Sequence, residues 1–516
     1  MNTIVGITFL CTLIRGIASK SDAFTSIHDI KQILHKERVL TRYLNLAIEA
    51  EKERLGELEG MRDSMKMKLL NLNISSMDDY VGNPLNALHT IRRFTADWNE
   101  ITNTLNTTRV QEFFNEWDRN VKLPTLEDQK GAVSGILRLQ NFYKINTRNV
   151  SRGFLSSTNP ISKTEEIGVG LMWAMGYEAF KQKEWFLMKE WLDLALERIG
   201  DLEQSDGCKR SWIVDFLSYA EFQLGDYERS LDLAYQCLEY SPDDQKHHNN
   251  IEQCKKKISK GRKKSSTKPV EQLRYQLCRG EGMRKPTIDE ELQMVCWYKN
   301  DQPILRYKPQ KVERLWARPE IVMFRELLND EQTGTLIDLS LQKLVRAGLN
   351  GQDVTSEKYT NSRVAKHAWL SMKESPIIRN MGKRAQAMTN LNMKYAEHLQ
   401  IANYGIGGHY DAHYDYQTGE NVFPDLKTGN RIATLMYYLS DVEAGGGTAF
   451  TFGKTTVYPS KGDAVFWWNL KQNGKVDESS KHAGCPVLMG QKWIANWWIH
   501  EYGQEFRRPC PLDKTL

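Results

Sequence analysis

From Ile27 to Leu58 apolar residues recur at Ile30, Ile33, Leu34, Leu40, Leu44, Ala47, Ile48, Leu55 and Leu58. The period is close to 3.5 residues, interrupted at Glu37 and Glu51, and no proline precedes Pro84, so a long helix is unobstructed. This pattern suits a self-association coil and an amphipathic bundle helix equally. Between 165 and 245 a second pattern occurs twice. The first copy runs Met172, Met175, Gly176, Phe180, Trp185, Leu192, Ala195 and Leu196; the second runs Val214, Leu217, Ser218, Phe222, Gly225, Asp226, Tyr227, Ser230, Cys237, Leu238 and Pro242. Small residues where paired helices approach and large ones where they interlock predict tetratricopeptide-type repeats. The copies are offset by 238 − 196 = 42 residues, which predicts an enlarged connection over Ile199–Lys209. Such concave solenoids bind extended peptides, and Trp173, Tyr177, Trp185, Trp191 and Tyr219 could stack on a proline-rich one, although a core role is the preferred reading of any single one. Beyond about residue 396 short β-rich runs alternate with glycine turns, predicting a sandwich or jelly-roll barrel.

Composition sets the class. The chain has 516 residues with 70 Lys+Arg against 65 Asp+Glu, a formal charge of +5, 40% hydrophobic and 26% charged residues. That is a multidomain globular mix, and a charge this dilute gives no nucleic-acid footprint. Residues 4–14 form an apolar run followed by Arg15, Gly16, Ala18 and Ser19, read as a signal segment over 1–19. No later run reaches the roughly 18 apolar residues of a membrane helix. Sequons at Asn73, Asn106 and Asn149 are compatible with a secretory lumen. The C-terminus, PLDKTL, is not a retrieval signal, so a lumenal chain would leave or be held by a partner. The basic run 255–268 reads as a solvated linker.

Five of the 11 histidines fall in 398–500. His409-Tyr410-Asp411 and His413-Tyr414-Asp415 form tandem His-x-Asp units, and residues two apart on a strand share a face, so each offers an imidazole and a carboxylate to one metal. His482 supplies a third ligand. Two His and one carboxylate with three open positions are the arrangement of non-haem Fe(II) oxygenases. Lys492, just before an aromatic strand, would need an anionic partner if buried, and the C5 carboxylate of 2-oxoglutarate suits it.

The stretches 402–416 (ANYGIGGHYDAHYDY), 428–450, 461–470 and 482–510 closely resemble the α subunits of collagen prolyl 4-hydroxylases, and the resemblance covers nearly the whole mature chain. It implies iron ligands at His413, Asp415 and His482, a 2-oxoglutarate lysine at Lys492 and an aromatic wall at Tyr404. The second His-x-Asp unit is thereby preferred. The implied fold is α+β multidomain: a helical dimerisation domain over 20–150, a tetratricopeptide-like peptide-binding domain over 151–255, a linker over 256–315 and a catalytic domain over 316–516. Within the last, a double-stranded β-helix (jelly-roll) core spans 396–502. The implied activity is 4-hydroxylation of proline in collagen-like X-Pro-Gly sequences, using Fe(II), 2-oxoglutarate, O2 and ascorbate. Implied too are disulfides Cys278–Cys296 and Cys485–Cys510, which are also close couples along the chain. So are an α2β2 tetramer with protein disulfide isomerase, and residence in the endoplasmic reticulum lumen. The chain departs from the pattern at Ala412, Trp497 and Tyr502, which bears on substrate preference rather than on the metal set. The rivals are another 2-oxoglutarate hydroxylase, such as a lysyl hydroxylase, which should lack the repeats, and a non-enzymatic peptide scaffold, which should lack the ligands.

Overall fold

The computed structural model describes residues 23–37, 55–70, 72, 76–104, 124–155, 164–260, 272–347, 362–419, 422–424 and 426–511. The expected signal segment, Asn73, Asn106 and residues 38–54 of the long helical stretch lie outside the described residues. The described residues fall into two compact units, one within 33–74 and 84–260, the other within 23–32, 76–83 and 272–511.

The described part of the first unit is helical apart from one small hairpin. Helix Pro84–Arg92 continues through a wider turn, Arg93–Asp97, into helix Trp98–Thr104, and helix Leu126–Tyr143 packs along it. Asp128 caps the last of these by accepting from the Thr125 N–H at 2.8 Å. Glu37, which interrupts the apolar seam, is fully buried, and Arg93 Nη2 donates to its Oε2 at 2.9 Å. The break in the pattern is thus a buried ion pair.

Helices Val169–Lys181, Trp185–Ile199, Arg210–Leu224, Tyr227–Tyr240 and Gln245–Ser259 follow, each packed on the next. The small residues mark the close approaches. A Cβ on Gly176 would meet Leu192 Cδ2 at 2.6 Å, and Ser218 and Ser230 donate crosswise to each other's carbonyls at 2.9 and 2.8 Å. The enlarged connection is a small hairpin of Gln204–Ser205 with Cys208–Lys209. Trp191 is core, donating its Nε1–H to Gln140 Oε1 at 2.9 Å. Tyr177, Tyr219 and Trp212 are each about two-fifths exposed, at 38%, 41% and 43%, on an aromatic band that includes Trp173 and Phe216.

The second unit is built on two main sheets, with a two-stranded one of Ala444–Gly445 and Val487–Met489 beside them. The larger has nine strands in the order Cys296–Lys299, Gln310–Trp316, Ile321–Arg325, Ala464–Trp468, Arg431–Tyr438, Trp493–His500, Leu399–Tyr404, Ala365–Leu370 and Val345–Arg346, all neighbours antiparallel. The smaller has four, in the order Thr455–Val457, Thr448–Phe450, His482–Gly484 and Tyr410–His413. The central strands are apolar on both sides because both faces are covered. Leu435, Tyr437, Trp497 and Ile499 share a core with Ile378, Met381 and Ala385 of helix Pro376–Thr389. Met436, Tyr438 and Ile494 share another with Phe450, Val457 and Trp467. This is the expected jelly-roll, with the four-stranded sheet facing one side of the nine-stranded one.

Two expectations are corrected. Residues 272–315, expected as linker, carry helix Leu273–Cys278 and two strands of the large sheet. The composition there is polar because the stretch lies at the rim of the sheet, whose edge strand Cys296–Lys299 is mostly exposed. The disulfide joins Cys278 to Cys485, 207 residues apart, with Cα atoms 5.5 Å apart, in place of Cys278–Cys296 and Cys485–Cys510. Helix Leu273–Cys278 lies on the small sheet, where Thr456 Oγ1 donates to Leu277 O at 2.8 Å and the Cys485 N–H donates to Gly447 O at 2.8 Å. Pairing follows that packing, whereas Cys296 and Cys510 are exposed free thiols.

Residues 23–32 form part of this unit. Phe24 O accepts from the Ile406 N–H at 3.0 Å, and Asn403 Oδ1 accepts from Ser26 Oγ at 2.8 Å and from the His28 N–H at 3.1 Å. They brace the strand that carries Tyr404.

Candidate active site

His413 ends strand Tyr410–His413 and faces His482, the first residue of strand His482–Gly484, across an antiparallel register. Their ring centroids are 4.4 Å apart. Asp415 follows in the next turn, buried, with Oδ1 3.6 Å from His413 Nε2 and Oδ2 3.7 Å from His482 Nε2. One ligand atom from each of the three lies within 4.8 Å of the others.

The surroundings set the orientation of these groups. His413 Nδ1 is 2.7 Å from Asp411 O, and His482 Nδ1 is 3.0 Å from Ser480 O. A carbonyl only accepts, so both Nδ1 atoms carry the proton and both Nε2 lone pairs point to the centre. Thr434 Oγ1 donates to Asp415 Oδ2 at 2.7 Å, and Asn469 Nδ2 donates to Thr434 at 2.9 Å. Burial chiefly, with His413 beside it, lowers His482 to about 4, leaving it a neutral ligand at neutral pH. Burial works to raise the Asp415 carboxyl, but His482, His413 and Arg431 outweigh it and hold it well below the usual carboxylate range. Two imidazoles and a carboxylate on one side are a donor set that fits Fe(II).

Lys492 lines the same cavity as the cluster, together with Tyr404, Arg363, Thr448, Trp467 and Asn496. It is 1% exposed, and among the described residues its ammonium has no carboxylate partner; Nζ lies 5.0 Å from the Tyr404 ring centroid. Burial lowers its pKa to about 7. The side chains of Arg363, Trp467 and Trp498 each leave a buried N–H without an acceptor among the described residues. Donors gathered around a buried cavity fit an anionic ligand.

The first His-x-Asp unit lies outside the cluster. His409 Nε2 is 3.3 Å from Asp411 Oδ1, and Asp411 also pairs with Arg274. The sequence reading missed Thr434 and a buried network around Arg431. Arg431 donates to both oxygens of Glu397 at 2.5 and 3.0 Å, His500 Nε2 lies 3.0 Å from Glu397 Oε1, and Arg431 stacks 3.9 Å from the Trp498 ring centroid. The available signal was an arginine and a threonine in the otherwise apolar strand Arg431–Tyr438.

Comparison with known proteins matches three regions. Residues 26–157 match the prolyl 4-hydroxylase alpha-subunit N-terminal region, 171–260 the prolyl 4-hydroxylase peptide-substrate-binding domain, and 399–500 the 2OG-Fe(II) oxygenase superfamily. The prolyl 4-hydroxylase subunit alpha-2 of Caenorhabditis elegans is 33% identical over 532 residues, covering 98% of this chain and 96% of its own. The chain belongs to the prolyl 4-hydroxylase alpha-subunit family. The human prolyl 4-hydroxylase subunit alpha-1 is likewise 33% identical, over 95% of this chain and 96% of its own. A viral collagen prolyl hydroxylase from Paramecium Bursaria Chlorella virus-1, solved with 2OG, is 29% identical and covers 35% of this chain and 94% of its own, with a TM-score of 0.29. As a prolyl 4-hydroxylase alpha subunit the chain is a procollagen-proline dioxygenase that uses Fe(II), 2-oxoglutarate and O2, with a helical repeat domain for the peptide.

Proposed function

We propose that His413, Asp415 and His482 hold the Fe(II), that Lys492 binds the C5 carboxylate of 2-oxoglutarate, and that Tyr404 walls the same ligand. The observation that carries this reading is a buried lysine without a carboxylate partner among the described residues, lining one cavity with the His/Asp/His cluster. Bound there, Fe(II) supplies the coupled oxidation in which O2 gives one oxygen to succinate, with loss of CO2 from 2-oxoglutarate, and one to proline C4. The chain's own part is positional. The Asp411 and Ser480 carbonyls fix the two imidazoles, and Thr434 takes up one lone pair of Asp415. Trp467 and Phe450 pack against His482 at centroid distances of 4.7 and 5.8 Å and keep water from its face. The Arg431–Glu397–His500 network holds three neighbouring elements in register, and the Tyr410 ring, stacked 3.6 Å from His413, limits its swing.

The substrate reading is X-Pro-Gly collagen-like sequence, with ascorbate restoring enzyme oxidised in uncoupled turnovers. The exposed aromatic band of Tyr177, Trp212 and Tyr219 is the surface where a polyproline helix would stack. We assign the domains as 1–19 signal, 20–150 dimerisation and 151–260 peptide binding, and draw the catalytic domain from 272, because its sheet begins with Cys296–Lys299. The family resemblance favours protein disulfide isomerase as partner in an α2β2 tetramer in the endoplasmic reticulum lumen, and co-purification from secretory cells tests it. The ligand set is tested by anaerobic titration of 2-oxoglutarate into Fe(II)-loaded protein. The expected result is a visible charge-transfer band in the wild type that His413→Ala or His482→Ala removes and His409→Ala keeps. A band that survives His482→Ala overturns the assignment.

A further inference from the structure

A second cluster of metal-ligating side chains lies in the repeat domain, and nothing in the hydroxylation chemistry uses it. Asp215 comes from helix Arg210–Leu224, Cys237 from Tyr227–Tyr240 and His247 from Gln245–Ser259, with one ligand atom of each within 4.8 Å of the others. His247 is 7% exposed and its Nδ1 is buried without a hydrogen-bond partner among the described residues. That atom lies 3.8 Å from Asp215 Oδ1, too far for a hydrogen bond and close to the separation of two ligands on one ion. Tetrahedral zinc with bonds of roughly 2.0–2.3 Å sets its ligands about 3.3–3.6 Å apart. The His247–Asp215 pair is within a few tenths of an ångström of that spacing.

The neighbours are arranged as an outer shell. His247 Nε2 lies 3.6 Å from Asp244 Oδ2, so the imidazole has a carboxylate behind it and Nδ1 in front. Asp244 is itself held by accepting from the Lys246 N–H at 2.9 Å. Lys246 Nζ pairs with Asp215 Oδ2 at 2.5 Å and leaves Oδ1 toward His247. We propose that Asp215, Cys237 and His247 form a zinc-class cation site that staples the last three helices of the repeat domain, with water in the fourth position. The N, S and O donors are the set that zinc accepts, and each comes from a different helix, so the ion would add a tie to the Lys246–Asp215 pair and the Ser218–Ser230 hydrogen bonds that already link them.

The probe is Co2+, added to the full chain with His482→Ala so that the sulfur-free cluster near Lys492 does not compete. One thiolate-to-cobalt charge-transfer absorption per chain is expected in the near ultraviolet. It is lost in Cys237→Ser and in His247→Gln and kept in Cys208→Ser and Cys254→Ser. Zn2+ is expected to raise the thermal midpoint of the parent by several degrees and to leave that of Asp215→Asn unchanged. Absence of the absorption, or its persistence in Cys237→Ser, overturns the proposal. Should Cys237→Ser not fold, His247→Gln decides by the same two readings.

Discussion

At the residue scale the most informative side chain is Lys492. A buried ammonium facing a ligand carboxylate makes a pair whose loss costs about 2–5 kcal/mol. Lys492→Ala is therefore expected to raise the KM for 2-oxoglutarate by roughly 30-fold or more, or to abolish turnover, with Fe(II) binding kept. An unchanged KM would remove the residue from the site. Its titration gives a second test. With the pKa lowered to about 7, the free enzyme loses this proton above neutrality. An incoming carboxylate favours the ammonium, so binding above about pH 7 must take up a proton and weakens as pH rises. Calorimetry at pH 8 in buffers of different ionisation enthalpy should detect this uptake in the wild type and find none in Lys492→Met. The tandem His-x-Asp motif, His482 and Lys492 stood out by residue type and spacing, and the structure gathers His413, Asp415, His482 and Lys492 around one cavity, whereas the choice between the two units came from the family resemblance. Thr434, Glu397 and His500 were not legible, because they act through other side chains and carry no spacing signature.

At the element scale, strand Leu399–Tyr404 is held from outside the sheet by residues 23–28. A Cβ on Gly405 would collide with the backbone of Phe24 and Thr25, so only glycine lets that segment dock. Gly405→Ala is expected to cost about 1–3 kcal/mol, read as a lower urea midpoint, and to open the 23–32 segment to protease. Intact resistance with an unchanged midpoint would show the contact to be dispensable. The Cys278–Cys485 bridge ties helix Leu273–Cys278 next to the strand of His482. Cys485→Ser should cost about 2–5 kcal/mol in thermal unfolding without reductant. Peptide mapping should recover Cys278 linked to Cys485; recovery of Cys278 linked to Cys296 would contradict the fold there. The strands themselves were legible, since apolar runs between glycine turns leave few alternatives. The bridge was not, because sequence distance says nothing about which helix end meets which sheet. Likewise Glu37 read as a defect in a seam, when its partner Arg93 lies 56 residues away.

At the scale of the whole molecule, peptide capture and oxidation fall to different parts of the chain, a division the repeats and the β-rich segment already announced. What the sequence obscured was where the catalytic unit starts, since its edge strands are polar and its bracing segment comes from residues 23–32. Tyr177→Ala and Tyr219→Ala should raise the KM for a (Pro-Pro-Gly) repeat peptide about tenfold, about 1.4 kcal/mol, with kcat unchanged. A fall in kcat at constant KM would take the aromatic band out of substrate binding. The central claim is that this chain hydroxylates peptidyl proline at a centre made by His413, Asp415 and His482. The most direct measurement is 4-hydroxyproline and succinate formed from that peptide by the assembled enzyme with Fe(II), 2-oxoglutarate and O2. One succinate per hydroxyl is expected from the wild type and from His409→Ala, and no hydroxyproline from His413→Ala, Asp415→Ala or His482→Ala. Undiminished hydroxyproline from any of those three would contradict the account.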